Sequence, residues 1–298
     1  MLNFRPIQLA DKEWIDPLIR KGDLKTSDMN FTNLYTWAGG FKGQVAENGD
    51  RLFLRFGFLE NTPCYAFPVG TGDLREAVEA LKADAAGMNA PFLMRVSEDA
   101  LPELEKHYNG CFDLENSDKW NDYIYSAERL ATLAGKKLHA KRNHINRFDK
   151  EHEWSFELIS QDNLGECRTM CDDWFMQMGE EREMDFSGER RAIYRLFDAY
   201  NVLKPDGALI RAEGRVVAFT FGEQLSSDTY LIHFEKAYPQ MQGGYTLINR
   251  EFVRYIMKKY PNIKWINREE DMGLENLRKA KQSYFPDMMA TKYIAAWR

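Results

Sequence analysis

GALIRAEGRVVAFTFGEQLSSDTYLIHFEKA, residues 207–237, contains three apolar runs separated by Glu213-Gly214-Arg215 and Ser226-Ser227-Asp228. Runs of this length, rich in Val, Ile, Phe and Tyr and bounded by Gly and Ser, read as strands, and turns this short join antiparallel neighbours. A three-stranded meander is therefore predicted here. Working outward on the N-terminal side, WSFELIS (154–160) reads as a strand, Asp162 opens a helix, and Gly188 to Leu203 forms a second helix. On the C-terminal side come a helix from about Gly244 to Lys259, the strand IKWIN (263–267), a helix from Gly273 to about Ser283, and a last strand TKYIAAW (291–297). One long helical segment, Ala127 to about Glu151, leads into this series as a bridge.

The first part of the chain follows similar grammar. NFRPIQL (3–9) is strand-like, Asp11 opens a helix, and the run Ser27 to Trp37 precedes QVAEN and RLFLRFGF, which flank the hairpin signal Asn48-Gly49-Asp50. CYAFPV follows as a strand, Asp73 caps a helix to about Ala86, PFLMRVS reads as a buried strand, and Glu98 to His107 as a helix before the strands CFDLE and DYIYS. Both halves read as strand, helices, meander, helix, strand, helix, strand. That order resembles a tandem pair of Gcn5-related N-acyltransferase-like (acyl-CoA N-acyltransferase) domains, an α+β class with mixed central sheets flanked by helices. The expected division is 1–130 and 131–298, the second domain including the bridging helix 131–151. No direct repeat between the halves is visible, so the tandem reading rests on element order.

Composition narrows the classes of function. The chain has 298 residues, 44% apolar and 29% charged, which suits globular domains and excludes disordered and fibrous chains. Forty Lys and Arg against 46 Asp and Glu give a net charge of -6, which argues against wholesale coating of nucleic acid or acidic membrane. No apolar stretch approaches the roughly 18–20 residues of a membrane span, and the N-terminus carries acids where a signal peptide would be apolar, so a cytoplasmic protein is expected. Four cysteines give no disulfide framework, Cys167 and Cys171 read as buried thiols in a helical pattern, and the five histidines show no metal-ligand spacing; no metal centre is expected.

Three constellations could carry chemistry. In KKLHAKRNHINRF (136–148), positions 134, 138, 141, 145 and 148 fall on one helical stripe, which places Lys141 among Leu138, Ile145 and Phe148. A buried ammonium needs a partner or a ligand, so Lys141 with Arg142 and Asn143 is a candidate anion site; the alternative is a lysine whose stem is buried and whose head reaches solvent. In HFEKAYPQMQGGY (233–245), Glu235 and Lys236 stand at a strand end and Gly243-Gly244 at a helix N-terminus, where backbone N–H groups suit a phosphate or an oxyanion. Gln240-x-x-Gly243-x-Tyr245 partly matches the pyrophosphate signature of coenzyme A-dependent acyltransferases, but Tyr245 replaces the last small residue and would crowd the backbone approach. In WINREEDMGLENLRKAKQSYFP (265–286), Asn267, Glu269 and Asp271 lie just past a strand end, a common place for ligands. Leu274, Leu277, Lys281 and Tyr284 share one face of the following helix, with Arg278 one turn before Lys281.

The FEKA run (234–237), the Gly-Gly-Tyr helix entry and, above all, NREEDMGLENLRKAKQSYFP (267–286) resemble the C-terminal catalytic domain of the phosphatidylglycerol lysyltransferases. KLHAKRNHINRF (137–148) and NFTNLYTW (30–37) resemble its stand-alone soluble relatives in particular. The resemblance implies a tandem acyltransferase-like fold, shared with the Fem-type peptidyltransferases, and transfer of an aminoacyl group from charged tRNA to an amine or hydroxyl acceptor. The expected acceptor is an unidentified small molecule, peptide or lipid headgroup, and no integral membrane insertion is expected. In that reading Glu235 or Asp271 serves as base or acceptor-orienting carboxylate, while Arg278 and Lys281 face the oxyanion or terminal phosphate. Lys141, Arg142, Asn143, Lys236, Gly243, Gly244, Tyr245, Asn267 and Glu269 bind substrate. No cofactor is expected beyond aminoacyl-tRNA or acyl-CoA as co-substrate. An acyl-CoA-dependent N-acyltransferase and a non-catalytic small-molecule or peptide-binding protein are the alternatives on the same fold.

Overall fold

The computed structural model describes residues 2–57, 62–182 and 187–298. The chain divides into two compact units. The first comprises Met1–Asp122, Glu270–Glu275 and Met289–Arg298, and the second Tyr123–Glu269 and Asn276–Met288. Both are α+β, each with a mixed sheet flanked by helices, as the tandem acyltransferase-like reading expects.

In the first unit an eight-stranded sheet runs Arg5–Pro6, Gln44–Asn48, Arg51–Gly57, Pro63–Ala66, Leu93–Ser97, Lys292–Trp297, Phe112–Asn116, with Val69–Gly70 paired off this path to Arg51–Gly57. The Asn48-Gly49-Asp50 signal forms its hairpin: Asn48 lies opposite Arg51, and Gly49 takes the positive φ of 60° that the turn needs. Helix Leu74–Gly87 begins where Asp73 accepts a hydrogen bond from the Arg75 amide, 2.8 Å. Its buried Leu74, Ala77, Val78, Leu81 and Ala85 follow the three-four spacing of one helical face, packing with Tyr65, Met94, Val96 and Ala295 in the core. The predicted strand 3–9 shrinks to Arg5–Pro6. Residues Leu9–Asp11 instead form a 3-10 turn, in which Asp11 accepts from Arg5, the Gln8 amide and Trp14 Nε1.

The second unit is built on the expected meander. Asp206–Ala212, Arg215–Gln224 and Thr229–Ala237 pair antiparallel in sequence order, Trp154–Leu158 adds to the outer side of the first, and Trp265–Asn267 pairs parallel with the third. Tyr125 on the strand Asp122–Ser126 pairs with Ile266. The register slips once: Phe221 faces Phe234 and Gly222 faces Ile232, so His233 is the extra residue of a β-bulge, a device that re-aims a side chain. Gly222 is required there, since a Cβ would lie 2.4 Å from the Leu231 carbonyl oxygen.

The predicted helix Gly188 to Leu203 divides into Ser187–Asp198 and Tyr200–Leu203, and two further predicted helices change. The bridge is not continuous: Ala127–Thr132 and His139–Glu151 are separate helices, because Leu133 and Gly135 adopt positive φ (51° and 89°) between them. Arg142 donates to the carbonyls of Leu133 and Gly135 and so satisfies the acceptors freed by the break. The late helix starts at Glu275 rather than Gly273, because Met272 and Gly273 both have positive φ. Asp271 there closes a local turn onto the Gly273 amide, 2.8 Å.

Candidate functional site

Within the second unit the ends of Thr229–Ala237 and Trp265–Asn267 bring Glu235 and Arg268 together, Arg268 Nη2 lying 2.9 Å from Glu235 Oε1. The other oxygen of Glu235 accepts from Asn249 Nδ2 at 2.9 Å, on helix Gly244–Lys259. Arg268 stacks between aromatic faces, its guanidinium carbon 4.9 Å from the ring centre of Tyr284 and 5.8 Å from that of Tyr125. Its Nη1 is buried and has no hydrogen-bond acceptor. The side chain as a whole keeps 14% of its surface open to solvent. Burial works against this charge, but Glu235 outweighs it and the guanidinium stays firmly protonated. Burial also raises both phenols, Tyr125 and Tyr284, which remain neutral.

Lys141 stands at the same ring. Its Nζ is 4.0 Å from the Tyr284 ring centre and donates to Ser283 Oγ at 2.7 Å. Its helix stripe is as predicted, with Leu138, Ile145 and Phe148 fully buried and Lys141 half-buried. Burial pulls its ammonium down and Arg268 pushes the same way; Glu235 opposes both, and the result is about 8.

Lys281 is buried, and it donates to the carbonyls of Arg268 (2.6 Å) and Glu269 (3.0 Å), while Tyr125 Oη donates to the carbonyl of Lys281 itself. Asn267 Oδ1 accepts from the Glu269 amide at 2.7 Å, and Glu269 has a positive φ of 60°. The Arg268–Glu269 corner is thus held from both sides. Glu235, Asn267, Glu269, Lys281 and Lys141 are brought to one region of the second unit. Arg278 is half-buried on helix Glu275–Gln282, and Leu274, placed on its inner face by spacing, is exposed. Asn143 is exposed and reaches His139. Asp271 lies in the first unit.

Lys236 is buried, paired with Glu189 at 2.8 Å and seated 3.9 Å from the Trp174 ring centre. Trp174 Nε1 is shared between the Ala237 carbonyl and Tyr245 Oη, both at 3.1 Å. The Gly243-Gly244 pair is explained by packing. A Cβ on Gly243, whose φ is 102°, would lie 2.5 Å from the His144 carbonyl oxygen, and one on Gly244 would lie 3.3 Å from Ala237 Cβ. Helix His139–Glu151 therefore packs its backbone directly against Gly243.

Sequence reasoning missed Arg268, His233 and a polar cluster in the first unit. Arg268 sits between two residues that were named, and its place directly after a buried parallel strand was signal enough. His233, presented by the bulge, is sealed between Glu223 (Nε2, 3.0 Å) and Glu269 (Nδ1, 3.5 Å). Burial would lower its pKa, but the two carboxylates outweigh burial and hold it up at about 9. A folded-state pKa above the unfolded ~6.5 stabilises fully below that lower value and is lost as pH rises through the upper one. Unfolding in urea at increasing pH should therefore show a loss of up to about 3 kcal/mol between roughly pH 6.5 and 9. His233→Gln should flatten that slope; an unchanged slope would remove His233 as its source.

The first-unit cluster holds five charged groups. Lys292 Nζ lies 2.7 Å from Asp122, 3.3 Å from Asp28 and 3.4 Å from Glu270. Arg95 reaches Asp28 at 2.7 Å and Glu270 at 3.2 Å. Ser27 donates to Asp122 through both its amide and its hydroxyl. Burial raises the Asp28 carboxyl, but Arg95 and Lys292 outweigh it and bring the pKa below the ordinary value; Glu270 is driven up, mainly by burial.

The family model described as "Phosphatidylglycerol lysyltransferase, C-terminal" matches residues 20–296. Among solved structures, a conserved protein of unknown function from Bacteroides thetaiotaomicron is 35% identical, covers all of both chains and superposes with a TM-score of 0.92. The C-terminal domain of a putative lysylphosphatidylglycerol synthetase from Agrobacterium fabrum is 16% identical over 98% of this chain and 93% of its own, with a TM-score of 0.68, which shows a shared fold. An uncharacterized protein of Mycoplasmoides gallisepticum is 23% identical over 58% of this chain, and the match spans about half of that protein's length, 55%. Among the described residues no helix is long and apolar enough to cross a membrane.

Proposed function

Because the chain belongs to the phosphatidylglycerol lysyltransferase C-terminal family, we propose that it is an acyltransferase that moves an aminoacyl group, presented as the ester of a charged tRNA, to an amine or hydroxyl acceptor. The observation that carries this reading is Arg268 Nη1, a buried donor without an acceptor, on a guanidinium fixed by Glu235 and Tyr284. Ester aminolysis or transesterification places negative charge on the carbonyl oxygen as the acceptor attacks. A preorganised donor aimed at that oxygen stabilises the transition state more than the ground state. Glu235, with both oxygens engaged, orients Arg268 and offsets its charge. Lys281, by holding the Arg268 and Glu269 carbonyls, fixes the corner from which Arg268 projects. No covalent intermediate enters this scheme.

Coenzyme A is disfavoured as donor by the His144 carbonyl packed against Gly243. A tRNA donor is favoured by exposed Lys136, Lys137, Arg147 and Lys150 on and just before helix His139–Glu151. Phosphate contacts of this kind are local and salt-dependent, so a net charge of -6 is compatible with them.

The test supplies purified protein with radiolabelled aminoacyl-tRNAs or labelled acetyl-CoA, and a cell extract as source of acceptors. Label should pass from tRNA to an extract component and fall steeply as salt rises. Label passing only from acetyl-CoA would replace the tRNA reading, and transfer from neither donor would return the chain to the binding-protein alternative.

A further inference from the structure

We infer that Lys141 is the proton acceptor of this site, its uncharged amine taking the proton from the acceptor's attacking amine or hydroxyl. The inference deepens the acyltransferase reading and rests on it. Glu235 gives one oxygen to Arg268 and the other to Asn249, and its ion partner is a guanidinium that never loses its proton. Removing that pairing to free a base would leave Arg268 buried beside aromatic rings with its charge uncompensated, which costs several kcal/mol. Glu269 faces His233, in the same position of a carboxylate beside a cation.

Among the buried cations around the site, Arg268 and Lys236 are paired with carboxylates and Lys281 is held by two carbonyls, whereas Lys141 has a single neutral oxygen partner. Lys141 has a neutral hydroxyl, Ser283 Oγ, and the face of Tyr284; among the described residues no carboxylate comes within ion-pair distance of it. Ser283 in turn gives its own proton to the Ala280 carbonyl, so its lone pairs face Lys141. The charged groups turned toward Lys141 from the packed elements are Arg268, which repels an ammonium, and Glu235, already engaged with Arg268. An amine half-buried beside a second cation, without a counter-ion, gives up its proton more readily than an exposed lysine, and burial with Arg268 moves its pKa to about 8.

The proton balance closes within the site. The acceptor's nucleophile forms its bond to the ester carbonyl carbon as its proton passes to Lys141 Nζ, and the carbonyl electron pair moves onto the oxygen facing Arg268. When that oxyanion collapses, the ester C–O bond breaks, and the departing ribose oxygen takes the proton from the Lys141 ammonium. The lysine ends as it began, and no further reactant is consumed.

Competitive labelling of the full chain with trace acetic anhydride, followed by peptide mass spectrometry, tests the amine without any turnover assay. From neutral to strongly alkaline pH, Lys141 in the folded protein should react with a midpoint near about 8, against about 10.4 for the same peptide in the urea-unfolded chain. Coincident midpoints would overturn the inference while leaving the acyltransferase reading untouched. In the transfer assay, Lys141→Arg, which keeps charge and bulk but cannot accept a proton, should lower kcat by about 10²–10⁴-fold with little change in KM. Full kcat in that variant would likewise overturn it. If the unaltered protein transfers nothing, the acyltransferase reading fails, and the labelling result still decides whether the Lys141 ammonium loses its proton more readily than an ordinary lysine.

Discussion

Lys292→Met should destabilise the first unit by about 3–5 kcal/mol, the usual cost of removing one partner from a buried charge cluster. The Lys292 side chain is 1% exposed and Asp122, 2.7 Å away, is fully buried. Methionine fills most of the volume but returns nothing to Asp122, Asp28 and Glu270, so three carboxylates are left with Arg95 as their neighbouring cation within this cluster. Asp122 would still hold the Ser27 amide and hydroxyl, which is why the unit should soften around Ser27–Asp28. Urea unfolding read by hydrogen exchange resolves the units: protection should fall in Leu93–Ser97 and Phe112–Asn116, with the strands of the meander unaffected. Loss of 1 kcal/mol or less would mean that the cluster is solvated and that Lys292 is held by its strand alone. The double variant Lys292→Met with Asp122→Asn should recover part of the loss, since the most deeply buried anion then disappears with its cation.

Arg268→Lys should lower the transfer rate by about 10²–10³-fold while the fold persists. Lysine keeps the positive charge, so Glu235 is not stranded, but it lacks the planar fork that contacts Glu235 with one nitrogen and leaves another free. It also forgoes the stacking on Tyr284 that sets the plane of the guanidinium. The decisive reading is the division of the effect between kinetic constants. A donor used mainly in the transition state lowers kcat and leaves KM near its starting value; a donor that merely binds substrate raises KM with kcat unchanged. A melting temperature within a few degrees of the unaltered chain separates either outcome from unfolding. Full activity in Arg268→Lys would move the oxyanion site elsewhere.

Much of the architecture was legible because it is written locally. The meander of 207–237 combines apolar runs with turns too short for anything but antiparallel neighbours, and helix Leu74–Gly87 carries its own cap and its own apolar stripe. Long-range pairing was not legible. TKYIAAW reads correctly as a strand, but nothing in its pattern says that Lys292 will face Ser97 or that Tyr293 will face Asn116. The break between Ala127–Thr132 and His139–Glu151 was signalled by Gly135 and overlooked, because the apolar stripe continues across it. At the site, Glu235, Lys141, Asn267, Glu269 and Lys281 were visible as polar residues on otherwise apolar faces or at strand ends. His233 was hidden because its orientation depends on a one-residue register slip opposite Gly222, a property of two strands together. The Gly243-Gly244 pair suggested a phosphate cradle; the structure adds that Gly243 is needed for the close approach of the His144 carbonyl, a requirement that glycine in a sequence does not reveal.

The strand Lys292–Trp297 lies inside the first unit's sheet, between Leu93–Ser97 and Phe112–Asn116. Translation therefore inverts the ordinary order of assembly, in which the N-terminal domain closes first. On the ribosome every other described strand of that sheet emerges before this one, which joins the edge strand Phe112–Asn116 to the rest. Until then two lengths of strand present unpaired backbone to the surroundings, the arrangement that recruits other extended chains. Ribosome stalling or a premature stop ahead of residue 292 would leave this half of the protein as a client for chaperones and proteases, even though its first 122 residues were made without error.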